Sequence, residues 1–97
     1  MASKTEAEKD LMEAVLALKT VAECRRFMMD LCTPKERADL VERWKIARLL
    51  DEGKLSYRKI HARTGASITT IGRVARFLQK EKYQGYRLLL DRMKKKG

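Results

Sequence analysis

Apolar residues recur along most of this chain at steps of three and four, and short polar signals cut the pattern into segments of helical length. Three segments share one opening: Thr5 to Glu8, Thr20 to Glu23 and Thr33 to Glu36 each read T-x-x-E. In such a capping box the hydroxyl accepts the amide three residues on, while the carboxylate reaches back to the cap. Pro34 then falls on the first helical position, where its missing N–H costs nothing. The pattern predicts helices over 6–19, 21–31 and 34–52, with Gly53 stopping the third in a left-handed conformation. Ser56 caps a short helix over 57–63, Gly65 breaks the chain, and Ser67 caps a helix running to residue 80. Gln84-Gly85 interrupts again before a last helix over 86–94. Its Lys94-Lys95-Lys96 end suits a helix C-terminus and is expected to fray. Strand alternation, repeats and low-complexity linkers are absent from the sequence. The fold class is all-α, about six helices in one domain.

Residues Leu40, Val41, Trp44, Ile46, Ala47, Leu49 and Leu50 of the central helix point all around a 3.6-residue wheel. A helix of that kind is surrounded by other helices. A short chain has little to cover it with, and Leu11, Val15, Leu16, Leu18, Phe27 and Met28 add further apolar surface. Burial against a second copy is the expected remedy. Arg43 interrupts the otherwise apolar row Leu40, Ala47, Leu50. Two readings are open: pairing with Asp39 or snorkelling to water, or a guanidinium that awaits a carboxylate.

Composition narrows the function. At 97 residues one small domain is expected, and 44% hydrophobic residues exclude wholesale disorder. No apolar run approaches the roughly 20 residues that span a bilayer, and the start lacks a signal-peptide core, so a cytoplasmic location is expected. Cys24 and Cys32 make no disulfide framework and, with His61 alone, no zinc spacing; they are expected to be reduced and packed as small hydrophobes. Phosphate-binding glycine loop, nucleophile elbow and metal-ligand cluster are all lacking, so neither an enzyme nor a cofactor is expected. Charge is the informative quantity. Residues 1–50 hold 10 basic and 9 acidic residues, whereas residues 51–97 hold 13 and 4. From Gly53 to Lys80 there is no Asp or Glu at all. An acid-free block carrying Lys54, Arg58, Lys59, Arg63, Arg73, Arg76 and Lys80 attracts polyanions, nucleic acid first, and with the helix-turn-helix below the expected partner is double-stranded DNA.

That block coincides with a helix-turn-helix pattern from Leu55 to Val74. Ile60, Ile71 and Val74 sit where the two helices pack, and Gly65 supplies the positive φ of a tight turn. On the second helix Ile68, Ile71, Val74, Ala75 and Leu78 form the inward stripe, with Thr69, Arg73, Arg76 and Lys80 opposite. Short polar residues first and arginines after suit a helix entering the major groove by its N-terminus. Two rivals use the same basic face: a nonspecific architectural or RNA-binding protein, and a helical adaptor that docks an acidic protein.

Several stretches carry a family resemblance: Cys24-Arg25-Arg26-Phe27 through Asp30-Leu31-Cys32-Thr33, Ser56-Tyr57-Arg58-Lys59-Ile60, Thr64-Gly65-Ala66-Ser67, Ile71-Gly72-Arg73-Val74, and Tyr86-Arg87-Leu88 with Leu90-Asp91-Arg92. From Thr33 to Leu78 the chain resembles the Trp repressor superfamily, and as a whole its smaller YerC/YecD-type branch. The resemblance implies an intertwined homodimer whose two heads read a pseudo-palindromic operator. It makes Arg58 a base contact and assigns recognition-helix contacts to Ile68, Thr69, Thr70 and Gly72. It gives phosphates to the amides of Gly65, Ala66 and Ser67, and leaves His61 either a contact or an ordinary exposed residue. Thr33, Arg43 and Arg73 match an effector site. Phe77 replaces a serine there, Val74 replaces a glycine, and Trp44 adds bulk. These departures disfavour tryptophan as the effector and imply a pocket filled by the protein's own side chains. On the wheel Arg73 points outward; by resemblance it points to the effector.

Overall fold

In the computed structural model, which describes residues 3–96, the chain forms six α-helices and no strand among the described residues. They are α1 (Lys4–Ala17), α2 (Val21–Leu31), α3 (Pro34–Glu52), α4 (Tyr57–Thr64), α5 (Ile68–Gln79) and α6 (Gly85–Lys96). The fold is all-α, and α2 and α3 have their predicted bounds. None of these helices is long and apolar enough to cross a membrane.

Caps set the bounds. At α3 the box closes both ways: the Glu36 amide donates to Thr33 Oγ1 at 3.2 Å and the Thr33 amide to Glu36 Oε1 at 2.8 Å. Thr20 accepts the Glu23 amide at 3.1 Å, but the Glu23 carboxylate takes the Lys19 amide instead of its own cap. That bond, with Leu18 and Thr20 extended, ends α1 at Ala17, two residues short of the predicted stop. Thr5 is not a cap. Ser3 accepts the Glu6 amide at 3.1 Å and starts the helix earlier, leaving Thr5 inside its first turn.

The chain divides within α3, Arg37 ending one unit and Ala38 opening the other. In the first unit neither α1 nor α2 buries a residue. Leu11, Met12, Val15, Leu16, Val21, Met29 and Leu31 are exposed, Leu16 at 85%. Leu18, Phe27 and Met28 are only half-buried. Cys24 is exposed, a departure from the packing expected of it, while Cys32 is half-buried. The Cys32 carbonyl accepts from Arg37 at 3.0 Å.

The second unit holds the core. Ile46 and Ala47 of α3, Ile60 of α4, Ala66, and Ile71 and Val74 of α5 are buried together, with Trp44, Leu49, Leu50, Leu55 and Tyr86 against them. Only the later part of α3 is covered, since Leu40 and Val41 remain 43% and 68% exposed. Charge docks α6 onto α3. Asp51 takes Arg87 Nη2 at 2.6 Å and Lys94 Nζ at 2.7 Å, and Arg87 also holds Asp91 at 3.0 Å. Lys94 is therefore anchored, and the helix continues past the predicted end at residue 94 to Lys96.

Hydrogen bonds from Lys94 and then Arg87 hold the Asp51 carboxyl below its ordinary value of 3.8. A carboxylate with a lowered folded pKa contributes stability above its unfolded pKa, and that contribution is lost as pH falls through the folded value. Asp51→Asn should lower the thermal midpoint at neutral pH, and its difference from the parent should shrink as pH drops below 3.8. Melts followed by circular dichroism between neutral pH and about pH 2 check this.

Candidate nucleic-acid interface

Three residues, Gly65 to Ser67, reverse the chain between α4 and α5. Gly65 lies at φ 78°, a conformation that costs other residues about 1–2 kcal/mol. Its amide donates to the His61 carbonyl at 2.8 Å. Thr64 Oγ1 donates to the Ile60 carbonyl at 2.7 Å and accepts the Ala66 amide at 3.1 Å. His61 Nδ1 lies 2.6 Å from the Ala66 carbonyl. A carbonyl only accepts, so Nδ1 carries the proton. His61 thus ties α4 to the far side of the turn, a role without any signal in the spacing of polar residues. The amides of Gly65 and Ala66, both expected to face phosphate, already have partners inside the turn.

Ser67 then caps α5, its Oγ accepting the Thr70 amide at 3.1 Å and donating to Thr70 Oγ1 at 3.0 Å. Ile71, Val74, Ala75 and Leu78 are buried along one stripe. Ile68, expected in that stripe, is 50% exposed. Side chains lean toward the helix N-terminus, so the first residue projects beyond the contact with α4. Thr69, Arg73, Arg76 and Lys80 are all exposed, as is Arg58 on α4. Gly72 is half-buried, and a Cβ built there meets nothing within 4 Å.

Arg73 borders both the exposed face of α5 and a cavity. It is exposed, its guanidinium carbon stands 4.5 Å from the Phe77 ring centre, and it also lines a cavity of about 380 Å³. Arg43, Trp44, Phe77 and Tyr86 share the wall of that cavity. The Trp44 and Tyr86 rings stack at 6.4 Å and 28°. Val74 is spent in the core, Trp44 against Tyr86, and Phe77 under Arg73, so these side chains line the space where filling was expected. Thr33 lies in the other unit, where its hydroxyl caps α3. A second recess of about 380 Å³ lies beside Tyr57, Gly72, Arg76, Gln79, Lys80 and Glu81. Tyr57, Gln79 and Glu81 were not among the DNA- or effector-binding residues expected from the sequence. Their convergence arises where α4 crosses α5 and where the chain bends after α5.

With this geometry in place, the family is decided by one match: the profile of the Trp repressor protein family covers residues 6–94. The chain belongs to that family. It is 45% identical to the uncharacterized protein YerC of Bacillus subtilis (strain 168) over 84 residues, 87% of this chain and 79% of that one. A TrpR-like protein from Eubacterium eligens has a crystal structure similar to this one, with TM-score 0.85, 38% identity, and coverage of 93% of this chain and 91% of the other. A candidate Trp repressor from Staphylococcus aureus matches with TM-score 0.83 and 35% identity over 96% of each chain.

The two glycines of this Trp repressor-type head predict opposite effects. Gly72→Ala meets no neighbour and gains helix propensity, so it should stabilise the fold by roughly 0.5–1 kcal/mol. Gly65→Ala should destabilise it by about 1–2 kcal/mol. Urea denaturation of both variants reads the signs directly.

Proposed function

We propose that this protein is a homodimeric, sequence-specific DNA-binding transcription regulator, a repressor that reads a pseudo-palindromic operator through α4, the turn and α5. The observation that carries the reading is the division of α5 into a buried apolar stripe and an exposed face of Thr69, Arg73, Arg76 and Lys80. Membership of the Trp repressor family supports it.

In this reading Arg58, Ile68, Thr69 and Thr70 approach base edges and methyl groups, where short side chains allow a helix deep into the groove. Gly72 lets the backbone come close. Arg73, Arg76 and Lys80 serve phosphates, together with the amides of Gly65, Ala66 and Ser67. The Gly65 and Ala66 amides would share their protons with the His61 carbonyl and Thr64 Oγ1. Dimerisation is supported by the uncovered apolar side chains of α1 and α2, which a partner copy would bury. An effector bearing a carboxylate fits Arg43 and Arg73 in the cavity wall. Tryptophan fits poorly, because Phe77 offers its amino group no hydroxyl and an unpaired amine costs roughly 1–3 kcal/mol. A nonspecific architectural or RNA-binding protein would bind all sequences alike. An adaptor for an acidic protein would bind nucleic acid only weakly and at low salt.

Selection of bound duplexes from a random pool supplies the preferred site. Arg58→Ala and Thr69→Ala should each weaken that site by about 1–3 kcal/mol while hardly changing affinity for random duplex. Equal losses on both probes would favour the nonspecific reading. Sedimentation at micromolar concentration should give a dimer, and two half-sites about one helical turn apart should appear in the selected sequences. A stable folded monomer would overturn the dimer.

A further inference from the structure

Glu81 is the acid that ends the acid-free stretch, and the chain folds it back onto that stretch. The Lys80 and Glu81 amides both donate to the Arg76 carbonyl, at 2.8 and 3.1 Å, closing the end of α5. Gln84, at a left-handed φ of 53°, donates through Nε2 to the Glu81 carbonyl at 2.6 Å. Held this way, Glu81 Oε2 accepts from Arg76 Nε at 3.0 Å. The pair borders the recess that also takes in Tyr57, Gln79 and Lys80. Arg76 remains 66% exposed at its side chain and Glu81 33%, so the ion pair is open to solvent and to a competing anion. The Arg76 guanidinium carbon is also 5.9 Å from the Phe77 ring, leaving it steered but not buried.

We infer that Glu81 is an internal competitor of the DNA backbone: its carboxylate occupies Arg76 in the free protein and must be displaced before a phosphate enters the recess beside Tyr57, Gln79 and Lys80. The inference rests on the DNA-binding reading above and adds to it a residue that sets how much Arg76 contributes. A carboxylate and a phosphate oxygen make the same charge-assisted bond to a guanidinium, so the exchange gains nothing unless other contacts are made simultaneously. On random duplex few other contacts exist, and the exchange is close to neutral. On a preferred site base contacts drive it. Glu81 therefore subtracts from the attraction of this face for any duplex, preferred or random.

Titration of fluorescent random-sequence duplex with the full-length protein, over a series of salt concentrations, tests this. Exposed ion pairs are weak, so Glu81→Gln should tighten random-duplex binding by about two- to fivefold. It should also steepen the dependence of log affinity on log salt by about 0.9, the release expected for one more phosphate contact. In an Arg76→Ala background the same substitution should give less than half that gain. Glu52→Gln removes the same charge from α3 and should leave the slope as in the parent. If the parent binds duplex and Glu81→Gln changes neither affinity nor slope, the competitor role fails and the DNA-binding reading stands. An equal gain from Glu52→Gln reduces the effect to net charge and also overturns the role. If parent and variants alike fail to bind duplex, both readings fall.

Discussion

Reversal of the chain at Gly65 is the constraint on which the rest of the second unit depends. Ile46, Ile60, Ile71 and Val74 are its largest fully buried side chains, and they come from three different helices. Ile60 lies before the turn and Ile71 after it, so they share a core only if the chain turns sharply within Gly65, Ala66 and Ser67. Burying each such side chain contributes about 1.5–3 kcal/mol, which exceeds what the turn costs. The turn nevertheless decides which packing forms. Thr64 and His61 spend their polar groups on fixing it, and Ala66, buried at 2% exposure, is the point where loop becomes core.

The first unit is stabilised differently. Its helices have well-formed caps and no buried residue, and caps contribute only about 1 kcal/mol each. Helices of 14 and 11 residues are marginal in water by themselves. Their apolar side chains therefore need a covering surface, and the chain reserves more apolar area than its own core consumes. The second unit adds to its apolar core a polar fastening, in which Asp51 receives both Arg87 and Lys94 from α6. One carboxylate shared by two cations fixes the rotation of α6 as well as its distance. Apolar contact alone leaves rotation less determined, and Tyr86 must face Trp44 for their rings to stack.

What was legible in the sequence follows from which interactions are local. Capping boxes, Pro34, Gly53 and Gly65 act within a turn of helix, and the bounds of α2 and α3 were readable from them. Thr5 misled because Ser3, two residues earlier, offers an equally good cap, and nothing local ranks the two. Ile68 fits the apolar period of α5, yet the period carries no knowledge of where the facing helix ends. The roles of His61 and Glu81 depend on how the chain bends after a helix, at Gly65 in one case and at Gln84 in the other. The candidate site was legible as a set of exposed residues on α5. Its polar neighbours were not, because Tyr57 and Gln79 meet only when α4 lies across α5.

The same distinction between sequence and space applies to charge. Along the sequence the stretch from Gly53 to Lys80 is purely basic, and a linear count would credit every cation in it to a polyanion. In space the residue just past its end returns to Arg76, so at least one of those cations is already neutralised. Phe77 divides the rest of the arginine pair unevenly: Arg73 sits closer over its ring and Arg76 farther, toward Glu81. A ring beneath a guanidinium supplies attraction without satisfying its N–H donors, whereas a carboxylate satisfies them. Two arginines three residues apart on one helix therefore differ in what they can offer an anion. Among the described residues no carboxylate pairs with Arg73, whereas the Nε donor of Arg76 is taken by Glu81 and must first be released. In the DNA-binding reading, a head built this way draws less of its affinity from charge alone, and correspondingly more from the short side chains at the start of α5.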